Sequence, residues 1–160
     1  MLSLQDVKDA QARIAPYVVR TPLLRIPALD APLGCQVYLK FEGFQVMGAF
    51  KIRGAMNKAL SLTPQQRSHG LVCASSGNHA QGVAYAAQAS GVAATIVMPT
   101  TTPLVKVNNT KDYGAKVILH GEVFDESAEL AAKLAESRRR ETEAVLQADA
   151  DMRRRFHADA

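Results

Sequence analysis

The sequence predicts an α/β fold whose core is an open, twisted, mainly parallel sheet built from βαβ units. Short apolar runs alternate with stretches of helical periodicity, and turns rich in Ser, Gly, Asn or Pro separate them. The chain has 160 residues, of which 48% are hydrophobic and 21% are charged. This composition is typical of a packed domain and not of a disordered chain.

The first segment predicts an amphipathic helix over residues 3 to about 17. Apolar residues recur at helical spacing from Leu4 to Ile14, and Ser3 stands where an N-cap would stand. A proline-punctuated connection follows at residues 20–34. It carries no periodic pattern, so we expect it to be a loop.

The next apolar run predicts a strand that leads into a helix. Residues 35–44 alternate as a half-buried strand does, with Val37, Leu39 and Phe41 on one face. A glycine-bearing loop follows, and the apolar spacing after it fits a helix that begins close to Lys51. Lys51 is therefore expected where a strand, a loop and a helix meet.

The rest of the ordered chain repeats this plan in three units of strand, turn and helix. Parallel βαβ folds have this organisation. We expect the helices of the first two units to end at Gly91 and Gly114 and the helix of the third to be capped by Asp125, with Pro103 in the first turn of the second. The three units lie at residues 70–91, 92–114 and 115–137.

Charge and cysteine content exclude several classes of protein. The formal net charge is +4, but Lys and Arg are scattered among acidic residues, so no nucleic-acid partner is expected. Cys35 and Cys73 are too few and too isolated for a disulfide framework or a zinc site, and no metal is expected. The N-terminus does not resemble a signal peptide, and no apolar run is long enough to span a bilayer. We therefore expect a soluble cytoplasmic protein with no membrane partner.

The residues around Lys51 are those that favour a reactive lysine amine. Phe50 precedes it, and glycines and alanines on both sides permit a close approach of the backbone. Apolar surroundings favour the neutral, nucleophilic amine that a Schiff-base lysine needs. On the residues alone, the alternative is an ordinary solvated surface lysine.

A second candidate is the polar turn from Ser75 to Asn78, between an apolar strand and a helix. Backbone N–H groups and the helix dipole converge at such a turn, so a carboxylate or a phosphate is a natural guest. The alternative is a helix capped by Ser or Asn after a glycine turn, which needs the same residue types. The neighbouring His79 has no second histidine at metal-ligand spacing.

Six motifs taken together resemble the serine/threonine dehydratases among the fold-type II pyridoxal-phosphate enzymes. They are RTPL, VYLKFEGFQ, GAFKIRGAMNKA, ASSGNHAQGVAYAA, ATIVMPTTTPLVKV and YGAKVILHGEVFDES, and they fall within about residues 20–135. The resemblance implies part of the two-domain tryptophan-synthase-β-like fold and the cofactor pyridoxal 5'-phosphate. It also implies an ammonia-lyase that converts L-threonine or L-serine to a 2-oxo acid and ammonia, and an intact form that is a homo-oligomer.

The same resemblance implies roles for individual residues. Lys51 would bind the cofactor covalently and, once released, remove the substrate α-proton. Phe50 would pack against a face of the cofactor ring, and Asn78 would hydrogen-bond the cofactor's phenolic oxygen. The substrate carboxylate would be held by the loop formed by Ser75, Ser76, Gly77, Asn78 and His79.

Departures from the family pattern keep alternatives open. The family usually has Ser-Phe-Lys where this chain has Ala49, Phe50 and Lys51, and QPTGS where this chain has QVMGA. Loss of the serine hydroxyl and of the proline would loosen the loop that carries the lysine. Ser76 stands where serine racemases have a serine proposed as an acid/base on the opposite face. Serine racemase and threo-3-hydroxyaspartate dehydratase are therefore alternative interpretations, with Ser76 as a second catalytic residue.

The chain is also shorter than the family that it resembles. The later half of those enzymes supplies the glycine-rich loop for the cofactor phosphate, and residues 137–160 give instead six arginines and five acidic residues without Gly or Pro. A truncated or out-of-frame product is one hypothesis, and an inactive fragment or non-catalytic module is the remaining alternative. We expect an incomplete large cofactor domain at 1–66, a small α/β domain at 67–136, and a charged helical or disordered tail at 137–160.

Overall fold

The computed structural model describes the backbone of residues 3–158 and the side chains of residues 3–141, and it divides the strands between two sheets. Strands β1 (Leu23–Arg25) and β2 (Tyr38–Lys40) pair antiparallel. Strands β3 (Leu71–Ala74), β4 (Ala94–Met98) and β5 (Lys116–Leu119) form a parallel sheet in that order. The helices are α1 (Leu4–Ile14), α2 (Asp30–Leu33), α3 (Lys51–Leu60), α4 (Pro64–His69), α5 (Asn78–Ser90), α6 (Leu104–Asp112) and α7 (Phe124–Ala158).

The three-stranded sheet confirms the predicted parallel βαβ arrangement. Cys73 of β3 lies opposite Ile96 of β4, and Ile96 lies opposite Val117 of β5. All five residues of β4 are buried, as expected for a central strand that is covered on both faces. Ile96 and Met98 belong to the same core cluster as the alanines of α5, whereas Thr95 points to the opposite face and contacts α7.

Helix α3 packs against helix α5, and small residues allow the close approach. Met56 and Ala59 of α3 share one core cluster with Ala80 and Ala84 of α5. A Cβ atom at the buried Gly82 would lie 3.5 Å from the backbone of residues 51 and 52. The alanine-rich pattern of α5 therefore fixes where the first turn of α3 lies.

Helix α7 covers the other face of the sheet, and its start differs from the prediction. It begins at Phe124, so Asp125 lies inside the first turn and is not the N-cap. Glu126 acts there instead, because its carboxylate accepts hydrogen bonds from the N–H groups of Glu122 (2.6 Å) and Val123 (3.4 Å). The helix continues without a break through Ser137 to Ala158.

Three short elements are not predicted from the sequence, namely β1, α2 and α4. Helix α2 lies, like β1, within residues 20–34. Strand β1 lies inside the proline-punctuated segment where a loop is expected, and its three residues are exposed. Helix α4 has a complete capping box, in which Thr63 and Gln66 bond reciprocally and Pro64 occupies the first turn. The predicted strand at 35–44 is only three residues long, and Leu39 within it is exposed.

The predicted helix boundaries agree with the structure at several other points. Ser3 caps α1 through a hydrogen bond to the N–H of Asp6, and Gly91 ends α5 in a left-handed conformation. Pro103 stands one position earlier than expected, at the N-cap of α6. No helix within residues 3–158 combines the length and the apolar character that a bilayer span needs.

Candidate functional site

A cavity of about 670 Å³ lies where the loop before α3 meets the carboxyl end of β3. Ligands of open α/β sheets bind outside the carboxyl ends of the strands, so this location is typical of a functional site. The described residues that line the cavity are Glu42, Gly43, Gly48, Ala49, Phe50, Lys51, Ser75, Gly77, Asn78, His79 and Lys106.

Lys51 is the first residue of α3 and lies at the cavity wall, as the sequence predicted. Its side chain is exposed, and its Nζ atom lies 5.1 Å from the centroid of the Phe50 ring. Among the side chains of residues 3–141, the structure records no hydrogen-bond or ion-pair partner for this amine. The amine is therefore accessible to a ligand in the cavity.

The turn at Ser75–His79 presents backbone donors to the same cavity. Gly77 is the N-cap of α5, and no side chain caps this helix. Ser75 Oγ accepts a hydrogen bond from the N–H of Gly77 (3.3 Å), and the first N–H groups of α5 have no side-chain acceptor. The alternative of a helix capped by Ser or Asn is therefore wrong, and the helix start keeps its capacity to bind an anion.

His79 lies in the cavity wall close to Lys51. Partial burial, and secondarily the positive charge of Lys51, lowers the pKa of the His79 imidazole. The neutral form of the ring is therefore favoured at neutral pH. In that form, His79 adds both a donor and an acceptor to the cavity without adding charge.

Lys106 is a cavity residue that the sequence analysis did not identify. It lies in the first turn of α6, which follows the carboxyl end of β4, and its side chain is exposed. From sequence, the surrounding MPTTTPLVKV run indicates only a strand end and a proline-initiated helix. The signal that could have identified it is a lysine in the first turn of the helix that follows β4, since β4 is the neighbour of β3, the strand that precedes Ser75.

The acidic residue of the cavity, Glu42, is already paired. Arg53 donates two hydrogen bonds to it, from Nε to Oε2 (2.8 Å) and from Nη2 to Oε1 (2.7 Å), and Thr21 donates a third from its hydroxyl (2.5 Å). Such a two-pronged contact neutralises the carboxylate effectively. Lys51 and Lys106 therefore leave the cavity with a positive balance, which favours an anionic ligand.

Glu42 gives a prediction for stability in acid. The Arg53 guanidinium, aided by the Thr21 hydroxyl and opposed by burial, lowers the pKa of Glu42 from 4.5 to about 2. Because the folded-state pKa lies below the unfolded one, this contribution is present above about pH 4.5 and is lost as the pH falls towards 2. We expect Glu42→Gln to reduce the free energy of unfolding by at most about 3 kcal/mol near neutral pH.

Urea unfolding from pH 7 to pH 2 measures this effect. The difference between wild type and Glu42→Gln should be largest above pH 4.5 and should shrink towards pH 2, because a protonated Glu42 resembles glutamine. Other carboxylates titrate equally in both proteins, so the difference isolates Glu42. Parallel curves over the whole range would contradict the assignment.

The remaining predicted residues have different surroundings. Asn78 lies at the first position of α5 and lines the cavity, as do Ser75 and Gly77. Phe50 also lines it, with 58% of its surface exposed. Ser76 is half-buried and is not one of the residues that line the cavity.

These features define an α/β protein with an accessible lysine and a turn of free backbone donors lining one cavity. The family model described as pyridoxal-phosphate dependent enzyme matches residues 14–151. The chain belongs to the family of pyridoxal-phosphate-dependent enzymes. The match continues past Ser137 into the arginine-rich segment.

Individual relatives agree with this family. The chain is 48% identical over 136 residues to an L-threonine ammonia-lyase of Thermotoga maritima, and the match covers 85% of this chain and 34% of that protein. Among solved structures, maize serine racemase matches with a TM-score of 0.76 and 42% identity, over 84% of this chain and 41% of that one. The processed form of threonine deaminase isoform 2 from Solanum lycopersicum matches with a TM-score of 0.72 and 35% identity, over 86% and 39%. The chain thus spans about a third of the length of the curated relative.

The residues of the cavity fit a pyridoxal cofactor. Lys51 supplies an amine that has no hydrogen-bond or ion-pair partner among the described side chains. The aldehyde of the cofactor requires such an accessible amine for covalent attachment. Asn78 supplies an amide for a ring oxygen, and the uncapped start of α5 supplies donors for an anion. Lys106 adds a second positive charge at the wall.

Proposed function

We propose that this chain carries the lysine-bearing part of a pyridoxal-phosphate site that dehydrates and deaminates L-threonine or L-serine. The observation that carries the proposal is the amine of Lys51, which has no hydrogen-bond or ion-pair partner among the described side chains and lines the same cavity as the uncapped turn at Ser75–His79. The products would be a 2-oxo acid and ammonia, which for threonine means 2-oxobutanoate. The names of the threonine ammonia-lyase and threonine deaminase relatives support this choice of substrate.

The bound cofactor would supply an electron-withdrawing ring that stabilises negative charge at the substrate's α-carbon. Lys51 Nζ would hold the cofactor and, as a free neutral amine, would accept the α-proton. The backbone N–H groups at the start of α5 would hold the substrate carboxylate and so orient the α-C–H bond towards Lys51. The proton that Lys51 accepts would pass to the departing β-hydroxyl, which would leave as water, and a second water would hydrolyse the remaining unsaturated amino acid to the 2-oxo acid and ammonia.

Asn78, Phe50 and His79 would complete this arrangement. The Asn78 amide would donate a hydrogen bond to the cofactor's phenolic oxygen, and the exposed face of the Phe50 ring would cover one side of the cofactor. The neutral His79 would leave the positive charge of the cavity to Lys51 and Lys106. Each residue would act through a group that already lines the cavity.

The proposal is tested by adding pyridoxal phosphate and then L-threonine, L-serine or threo-3-hydroxyaspartate to the protein. Ammonia and 2-oxo acid are measured, and the cofactor is trapped by borohydride reduction and located by peptide mapping. We expect trapping at Lys51 and the largest product yield from threonine. No trapping at Lys51 and no product from any of the three amino acids would overturn the proposal and leave a non-catalytic module.

Serine racemase activity is the second candidate. The similarity to maize serine racemase favours it, whereas Ser76, which would be its second acid/base group, is not among the residues that line the cavity. Chiral chromatography of serine recovered from D₂O separates the two reactions. D-serine with deuterium at the α-carbon would favour the racemase, and pyruvate with unchanged L-serine would favour the dehydratase.

Lys106 offers a test of the positive cavity. We expect Lys106→Ala to weaken binding of L-threonine, or of phosphate alone, by about fivefold, because an exposed charged contact contributes about 1 kcal/mol. Lys111→Ala is the matched control, since Lys111 lies on the same helix but does not line the cavity. Calorimetric titration measures both, and equal affinities in the two variants would remove Lys106 from the site.

We further propose that residues 1–66 belong to a larger cofactor domain and 67–136 to a small α/β domain, with 137–160 as a charged extension. The separate antiparallel and parallel sheets support a division between them, and α3 packs against α5 across it. A homo-oligomer is proposed for the intact form. Sedimentation velocity of the protein with and without the cofactor tests this.

A further inference from the structure

Beside the cavity, four polar side chains form a connected cluster that we call the clamp, consisting of Thr21, Glu42, Gln45 and Arg53. Thr21 and Gln45 are only 3% and 4% exposed, which is unusual for uncharged polar side chains. Glu42 and Arg53 are partly buried as well, with side-chain exposures of 17% and 30%. Buried polar groups of this kind persist only when their hydrogen bonds are satisfied.

The clamp joins three stretches of chain that are far apart in sequence. Arg53, in the first turn of α3, bonds to Glu42 at the start of the loop and to the carbonyl of Val19 (Nη2 to O, 3.0 Å). Thr21 bonds to Glu42 from the segment that precedes β1. The loop at 42–50, which ends at Lys51, is therefore held at its beginning to both the helix and the N-terminal segment.

Gln45 holds the same loop at a second point. Its amide accepts a hydrogen bond from the N–H of Val19 (2.7 Å) and donates one to the carbonyl of Val19 (2.9 Å). The same side-chain oxygen also accepts a hydrogen bond from the N–H of Val46 (3.3 Å). The backbone carbonyl of Gln45 accepts a hydrogen bond from the N–H of Gly48 (2.8 Å). These bonds reach from the clamp to within three residues of Lys51.

Packing of α3 against α5 places the first turn of the helix, whereas the loop that leads into Lys51 depends on the clamp. No side chain caps α3, and both Phe50 and Lys51 are exposed. A lysine side chain has high rotamer freedom, so its amine is presented in one direction only if its backbone is held. The two hydrogen bonds from Arg53 to Glu42 join the helix that follows Lys51 to the loop that precedes it. A contact on both sides of Lys51 restrains its backbone.

We propose that Glu42 and Arg53, supported by Thr21 and Gln45, are positioning residues that hold the 42–50 loop so that the amine of Lys51 faces the cavity. This inference rests on the proposed role of Lys51 as the cofactor lysine. The clamp residues act through the backbone of Lys51 and do not touch the reacting atoms.

The test compares Glu42→Gln with Asp30→Asn in the full chain. Asp30 is the matched control because it also pairs with an arginine, Arg25 (2.6 Å), and accepts a backbone N–H from Val37 (2.8 Å), but it lies outside the cavity. Amide hydrogen exchange at Val46 and Gly48 is the first readout. We expect about tenfold faster exchange in Glu42→Gln and no change in Asp30→Asn, because local opening follows the loss of the clamp.

The second readout is the site of reductive trapping by pyridoxal phosphate. We expect the share of label on Lys51, relative to the exposed Lys58 and Lys111 outside the cavity, to fall severalfold in Glu42→Gln and to stay unchanged in Asp30→Asn. Arg53→Lys keeps the charge but loses the two-pronged geometry, so its labelling should be intermediate. Thermal unfolding of each variant shows that the labelled proteins are folded.

Thr21→Val provides a milder variant if Glu42→Gln does not fold, since it removes only one hydroxyl donor to Glu42. Unchanged exchange at Val46 and Gly48 in the folded clamp variants would overturn the proposal. Faster exchange with unchanged labelling would also overturn it, because the loop would then move without displacing Lys51. If wild type is not labelled at Lys51, the proposed function fails, and the exchange readout still decides whether the clamp holds the loop.

Discussion

Lys51→Ala should abolish both reductive trapping of pyridoxal phosphate at residue 51 and any release of 2-oxo acid from L-threonine. The expected loss of activity is at least about 10²-fold, because positioned proton transfer alone contributes about 10² to 10⁴ in rate. Loss of the covalent link adds to this. The readouts are a coupled assay for 2-oxobutanoate and peptide mapping after borohydride reduction.

Lys58→Ala is the control for this experiment. Lys58 is exposed on the same helix, two turns further along, and does not line the cavity. It should be labelled no more than other surface lysines, and its replacement should leave activity unchanged. Equal activities in Lys51→Ala and Lys58→Ala would show that Lys51 is not the reacting amine.

Gly70→Ala should reduce the free energy of unfolding by about 2–4 kcal/mol, the largest single-residue effect on stability that we expect. Gly70 has φ +74° and ψ −175°, a conformation that is almost exclusive to glycine. An added Cβ would also lie 2.8 Å from the carbonyl oxygen of Ala93. That oxygen accepts the hydrogen bond from Leu71 (2.7 Å) that begins the pairing of β3 with β4.

Gly91→Ala separates the two causes of this loss. Gly91 also has a positive φ, +66°, but an added Cβ would have no neighbour within 4 Å. It should cost only about 1 kcal/mol, the usual penalty for a left-handed alanine. Urea unfolding of both variants measures the difference, and equal losses would mean that the contact with Ala93 is unimportant.

The parallel sheet could be predicted because its signals are local. The apolar residues of β4, the glycine after α5 and the Ser3 cap each lie within a few residues of what they determine. Lys51 could be placed at a helix start for the same reason. The position of the Ser75–His79 turn could be predicted from the strand before it. The carboxyl ends of parallel strands lie at the same edge of the sheet, and ligands bind there.

Other features could not be predicted because they depend on tertiary contacts. Glu42 and Arg53 are eleven residues apart and show no pattern that links them, and Gln45 finds its partner at Val19. The pairing of β1 with β2 is set by tertiary placement, since each strand has only three residues. The capping box of α4, by contrast, is a local signal that the sequence shows as Thr63 and Gln66 on either side of Pro64.

The ribbon formed by β1 and β2 is one of the exposed apolar surfaces among the described residues. Leu23, Leu24, Tyr38 and Leu39 expose between 42% and 60% of their surface, although they belong to only two paired strands. The outer edge of each strand is unpaired among the described residues. Ribbons of this kind, with apolar side chains and open edges, tend to associate between molecules. Precipitation at high concentration should therefore begin at this ribbon, and a charged residue at Leu24 should raise solubility without altering the lysine cavity.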